Sequence, residues 1–271
     1  MITKPVLENS VLAIADRIAV LTFDRDDVRN ALTGTTLVED VLNTLDWVNR
    51  CQDVSVLVIT GAGSAFSSGG NVKEMQQRIG LFAGSVYQIQ DQYRRGIQRI
   101  PRAMEAAEVP IVAAINGPAI GAGFDLACMC DLRVASSAAV MGETFINLGI
   151  IPGDGGAWFL QRLIGYQRAA ELTLTGRLLA AQEALELGIV LEVTSPELLL
   201  PRVMELAEQI ASKPPMAVRM TKRLLKYAQR GTLADFLDAS ACFQGMSHHT
   251  DDHVEAVNAF LEKRPGIYVG S

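Results

Sequence analysis

Residues 111–131 read IVAAINGPAIGAGFDLACMCD, and no other stretch limits the possible folds of the chain as much. Five apolar residues, Ile111 to Ile115, run into Asn116-Gly117-Pro118. A short apolar run bounded by turn residues reads as a buried strand. Gly121-Ala122-Gly123 follow, and residues 124–130 are apolar with helical character. A strand, a glycine turn and a helix start leave backbone N–H groups free at the mouth of the turn. Such a place can hold a negative oxygen. Asp125 sits in the first turn of that helix, inside an otherwise apolar segment. A carboxylate there is either a partner of the helix dipole or an acid/base group.

The same pattern occurs once before. Residues 54–60, VSVLVIT, form a buried β run closed by Gly61-Ala62-Gly63. Residues 65–70, AFSSGG, make a second small-residue turn, and a helix is expected over 71–78. Two such units, at 54–78 and 111–130, signal an α/β fold. Ahead of them, residues 11–14 and 18–23 read as paired strands around Asp16-Arg17. A polar loop over 24–31 and a helix over 33–50 follow, with Leu37, Val41, Leu45 and Val48 on one face. After Gly70 the pattern is mostly helical, most clearly at 93–105. A strand is expected at 134–140, a glycine-rich loop at 141–156, and helices at 157–163, 168–174 and 180–187. A last short strand is expected at 189–193. From Pro196 the chain is helical throughout. This places a boundary near 195, between a core of residues 1–195 and a helical region of residues 196–271.

Several function classes drop out. The net charge of −6 disfavours nucleic acid as the main partner. No apolar run is long enough to span a bilayer. The start, MITKPVLENS, lacks the apolar centre of a signal peptide, so a cytoplasmic protein is expected. Cys51, Cys128, Cys130 and Cys242 make no C-x-x-C pair and read as reduced, mostly buried thiols. There is no P-loop, no dinucleotide G-x-G-x-x-G and no G-x-S-x-G. His248, His249 and His253 are the only histidines. His249 and His253 have the spacing of a metal pair, but no third ligand is evident, so a surface role is expected and no metal. With histidine confined to the tail, the candidate acids and bases are carboxylates.

The motifs then become specific. SAFSSGGNVKEM at 64–75, NGPAIGAGFDLACMCDLRVAS at 116–136 and NLGIIPGDGG at 147–156 resemble the signature blocks of the crotonase superfamily, the enoyl-CoA hydratases and isomerases. TGRLLAAQEALELGIV at 175–190 and SKPPMAVRMTKRLL at 212–225 resemble its later blocks. The resemblance implies a spiral of ββα units with a helical C-terminal region, assembled as a homotrimer or a dimer of trimers. It also implies acyl-CoA thioester substrates, with coenzyme A as part of the substrate and no separate cofactor.

The shared chemistry gives the two glycine turns a purpose. Charge that builds on a thioester oxygen is stabilised by backbone N–H groups, and losing one such donor costs about 10²–10³ in rate. By resemblance those donors are the N–H groups of Ser68 and Ala122, with Gly69, Gly70, Asn71 and Gly121 lining the substrate. Val28 and Ala31, and Ala65 with Phe66, are implied as main-chain contacts to the CoA part. Residues 73–102 are expected to wall the acyl pocket.

The carboxylates depart from the best-known hydratases of the family, which carry two glutamates. The first position is Asp125 here, and the second is Phe145, which has no proton to give. Asp154, in the glycine loop, and Glu143, two residues before Phe145, are the candidate replacements. The expected activity is enoyl-CoA hydration across the 2,3 double bond. The alternatives are Δ3-Δ2 isomerisation, which one carboxylate can serve by carrying a proton between carbons, or another lyase or hydrolase reaction of the family. A non-catalytic acyl-CoA binding protein would keep both turns but lose the acids. Asp125 and Asp154 argue against it.

Overall fold

The computed structural model describes residues 2–271. The chain opens with β1 (Ser10–Ala15) and β2 (Ile18–Phe23), paired antiparallel around Asp16 and Arg17. Both turn residues have positive φ, 47° and 67°, as a tight two-residue hairpin requires. Next come α1 (Leu37–Arg50), β3 (Val56–Gly61), α2 (Val72–Gln77), α3 (Val86–Arg95) and α4 (Arg99–Ala106). The second strand–turn–helix unit is β4 (Ile111–Ile115), β5 (Ala119–Ile120) and α5 (Ala122–Met129). Then follow β6 (Leu132–Ser136), β7 (Val140–Gly142), α6 (Gly156–Ile164), α7 (Tyr166–Thr175), β8 (Leu179–Ala180), α8 (Ala181–Glu186) and β9 (Glu192–Thr194). Four helices close the chain: α9 (Leu199–Ala211), α10 (Pro215–Ala228), α11 (Leu233–His248) and α12 (Asp251–Glu262).

The main sheet has the order β1-β2-β3-β4-β6-β9 and is parallel from β2 onward. A small second sheet, β5-β7-β8, lies beside it. Alternate residues of a strand face opposite sides of a sheet, and here both sides are covered. Leu57, Ile59, Ile111 and Ala113 pack with Leu37 and Val41 of α1, Met104 of α4 and Leu126 of α5. Val56, Val58, Val112 and Ala114 face the other way, onto Leu199, Val203 and Ala207 of α9. Two-sided burial explains why the central strands read as continuous apolar runs.

The expected boundary near 195 therefore precedes a helix that covers the sheet. Helix α10 is tied down by its charges. Arg219 donates to the carbonyls of Val48, Asn49, Cys51 and Val54, which end α1 and follow it. Lys222 donates to Val109 O and pairs with Asp131 at 2.7 Å. Helix α11, by contrast, buries no residue.

Two expectations are corrected. The helix expected over 93–105 is two helices, broken at Gly96. Pro101 sits near the start of α4, where a missing N–H costs no bond. The loop expected over 141–156 contains the end of β7 and a 3₁₀ turn, Thr144–Leu148. Strand β7 forms because Met141 and Gly142 pair with Ala119 and Ile120, and Met141 with Leu179, partners too distant for a local pattern to reveal. Among the described residues no helix is long and apolar enough to cross a membrane.

Candidate active site

The two glycine turns meet. Ile120 N–H donates to Ser67 O at 2.9 Å, and Phe66 and Ser67 both donate to Pro118 O. The approach is so close that a Cβ on Gly69 would lie 2.8 Å from the nitrogen of Ala122. A Cβ on Gly123 would overlap Ser67. Glycine stands at both points because no side chain fits.

Ala122 is the first residue of α5, and its N–H has no hydrogen-bond partner among the described residues. That leaves it free for the donor role expected of it. Ser68 is different. Its N–H donates to Arg29 O at 2.9 Å, and its hydroxyl to Val28 O at 3.2 Å. The donor expected to be free is engaged by the loop that precedes α1. Gly69 N–H donates to Ser67 Oγ at 3.1 Å, and Gly70 N–H has no partner among the described residues.

The three acids come together. Asp125 lies one turn into α5 with no exposed surface, Glu143 is 1 % exposed and Asp154 is 3 % exposed. No hydroxyl, amide or N–H reaches either oxygen of Asp125, and one oxygen each of Glu143 and Asp154 is also unpartnered. Asp125's polar partners are the other two carboxyls, which can bond it only while one of the group holds a proton. Burial pushes the Asp125 carboxyl well above the usual range, and the neighbouring Asp154 and then Glu143 charges push it further. Burial also raises Glu143 and Asp154, but hydrogen bonding to Asp125 opposes the rise in both, and Thr173 Oγ1 adds to it for Glu143. All three carboxyls are thus raised, Asp125 the most, because it alone has no donor outside the cluster and both neighbouring charges oppose its ionisation.

The remaining candidates fall into place around this cluster. Phe145 lies against Gly121: its ring carbons are 3.6–3.7 Å from the position a Cβ would take there. It forms an apolar wall at the second turn. Ala31 pairs with Gly69, and Leu32 N–H donates to Gly69 O at 2.7 Å. Ala65 and Phe66 are buried, and the Phe66 ring packs on Phe23 in the core. Only their main chain can meet a ligand. The Asn71 side chain caps α2, its Oδ1 accepting from the N–H groups of Lys73 and Glu74.

Sequence reasoning missed several residues here. Gly156 opens α6 against the Asp125 carboxyl. Thr173 holds Glu143. Tyr93 of α3 lies 3.1 Å from the Cβ position of Gly153, and its phenol pKa is raised by burial and by the Asp154 charge. Gln98 of the same 73–102 segment donates to Gly153 O at 2.7 Å, beside Asp154. Asn30 is buried behind the first turn. None carries a local sequence signal beyond its residue type.

Other features stay apart. A cavity of about 780 Å³ lies at the far end of α5, between Cys128, Leu163, Ile210 and Leu225, and excludes all three acids. His248 and His253 face each other at 3.0 Å, and no group of three or more possible metal ligands occurs among the described residues.

Fold and site define the class: an α/β enzyme that presents an unpaired helix-start N–H beside a buried carboxyl cluster. The sequence profile of the enoyl-CoA hydratase/isomerase family matches residues 13–270, and the chain belongs to that family. It is 35% identical to a crotonyl-CoA hydratase of Syntrophomonas wolfei over 97% of this chain and 98% of the relative. It is 34% identical to a short-chain-enoyl-CoA hydratase of Clostridium acetobutylicum over 95% of this chain and 96% of the relative. The crystal structure of an enoyl-CoA hydratase from Bacillus anthracis superposes with a TM-score of 0.90 at 35% identity, covering 97% of this chain and 100% of that one.

Proposed function

We propose that the chain hydrates the 2,3 double bond of an enoyl-CoA thioester. The observation that carries this reading is Asp125: fully buried, bonded by no donor outside its own acid cluster, and three residues after the free N–H of Ala122. Ionised Asp154 takes a proton from water as the oxygen adds to C3. Negative charge moves to the thioester oxygen, which Ala122 N–H receives. Ser68 N–H joins it by exchanging Arg29 O for the substrate oxygen. Protonated Asp125 then gives its proton to C2. Asp154 now holds the proton it took from water and passes it to Asp125 through their mutual contact. One water is consumed and the acids end as they began. Glu143, held by Thr173, keeps the Asp125 pKa high.

A second reading is Δ3-Δ2 enoyl isomerisation by the same acids. The Phe145 ring beside Gly121 favours it, because an apolar wall there leaves less room for a bound water. A panel of 2-enoyl- and 3-enoyl-CoA esters decides between them. Loss of the conjugated-enone absorbance from crotonyl-CoA supports hydration, and its growth from a 3-enoyl ester without net hydration supports isomerisation.

The reading takes the acyl-CoA thioester as the partner, needs no separate cofactor and places the enzyme in the cytoplasm. Further copies of the chain are proposed to pack on residues 196–271 as a homotrimer or dimer of trimers. Exposed Leu233, Leu237, Phe260 and Leu261 on α11 and α12 support this. A monomer by light scattering at micromolar concentration would overturn it.

A further inference from the structure

Asn30 is fully buried, yet every polar atom it has is used. Its N–H donates to Arg25 O at 2.8 Å, and its Oδ1 accepts from Arg25 N–H at 2.9 Å. Its Nδ2 donates to Ala62 O at 3.0 Å and Ala65 O at 2.8 Å. Its carbonyl accepts the Ser67 hydroxyl at 2.7 Å. The backbone is left-handed, with φ 53°, a conformation asparagine tolerates better than most residues.

These bonds do not end in the core. They run forward into the first glycine turn. Ser67 Oγ, anchored on Asn30 O, accepts the Gly69 N–H at 3.1 Å. Gly69 is the residue whose Cα faces the Ala122 nitrogen. The carbonyl immediately before Asn30, that of Arg29, holds the Ser68 N–H. The Asn30 side chain therefore ties the loop that receives the Ser68 N–H to Ala62 and Ala65, and its main-chain carbonyl, through Ser67, holds the turn that faces Ala122.

We infer that Asn30 is a positioning residue of the oxyanion site, setting the separation of the two glycine turns through Ala62, Ala65 and Ser67. The inference rests on the proposed oxyanion role of those turns. A misplacement of about 1 Å in such a site can cost about 10² in rate, and the packing at Gly69 and Gly123 leaves no slack to absorb one.

The probe is acetoacetyl-CoA, whose enolate absorbs in the near ultraviolet and whose bound enolate fraction reports oxyanion stabilisation directly. The wild-type chain should raise the enolate-to-keto ratio above that of free probe at the same pH. In Asn30→Ala, Asn30→Gly and Asn30→Asp the ratio should fall at least about tenfold, with a parallel fall in kcat for crotonyl-CoA and a KM change under about threefold. Asn30→Gly keeps the backbone conformation at ease, so a loss there reports on the side-chain bonds. Ser67→Ala should lower the ratio in the same direction, and it carries the test should the Asn30 variants not fold. A wild-type ratio in a folded variant, even one with reduced thermal stability, overturns the inference and leaves the oxyanion reading standing. No enolate rise in the wild type itself removes both.

Discussion

Gly156 lies directly against the carboxyl group of Asp125: a Cβ placed on Gly156 would overlap all three carboxyl atoms. The first residue of α6 is therefore part of the wall that confines the acid on α5. Gly156→Ala should drive the Asp125 side chain off its rotamer or push α6 away. Overpacking of this kind costs about 1–3 kcal/mol, and displacement of a catalytic group by about 1 Å costs about 10² in rate. We expect a modest drop in Tm and a large drop in kcat, measured by thermal melts and crotonyl-CoA turnover. A melt that falls with kcat intact would show that the Asp125 position is not critical.

Ala122→Pro removes the N–H at the α5 start that lies nearest Gly69. Ala122 is the first helical residue, the position proline tolerates best, so α5 should survive. Loss of an oxyanion donor should lower kcat by at least about 10², with thioester binding partly retained. Circular dichroism checks the fold. Near-normal turnover in a folded Ala122→Pro protein would remove this N–H from the mechanism.

What the sequence revealed and what it hid follow from the range of the interactions. The glycine turns, the buried strands and Asp125 were legible because a strand, a turn and a helix start are written within about 25 residues of chain. Asn30 was invisible as a positioning residue because its partners Ala62, Ala65 and Ser67 lie 32, 35 and 37 residues away. Thr173, 30 residues from Glu143, was hidden for the same reason. Ser68 shows the other limit. A motif places its N–H at the site, but only the fold reveals that Arg29 O already holds it.

Lys222 gives a prediction about stability. Burial lowers its pKa from 10.5 to about 8, although the Asp131 charge opposes the shift. Between pH 8 and 10.5 the unfolded chain binds the proton that the folded chain has released. Stability therefore rises with pH across that window. Lys222→Met should abolish this contribution to the rise, seen as a change in the difference between urea midpoints at pH 8 and pH 10. It should also destabilise the fold near pH 7, at the lower end of about 3–5 kcal/mol, because Asp131 loses its cation but keeps the Ile111 N–H bond. An identical pH dependence in both proteins would mean that Lys222 does not titrate in the folded state.

The last prediction assigns the acids. Asp125→Asn cannot supply a proton and Asp154→Asn cannot accept one, so each should lower kcat by about 10² or more. Glu143→Gln should cost much less, since Thr173 Oγ1 can still donate to a carboxamide oxygen. The pH behaviour separates these roles. The folded Asp125 pKa lies above its unfolded value, so the folded chain binds the extra proton between the two. Stability is lost as pH rises through that window. Asp125→Asn removes the loss, so the inactive variant should be more stable than the wild type at neutral pH, with the gain shrinking toward pH 4. Glu143→Gln removes one of the charges that raise Asp125, so the loss of activity on the alkaline side should begin at lower pH. Each amide keeps the side-chain volume, so a change in rate reports on charge and proton transfer rather than on packing. Should Glu143→Gln be inactive while Asp154→Asn turns over normally, Glu143 is the base and Asp154 only shapes the loop.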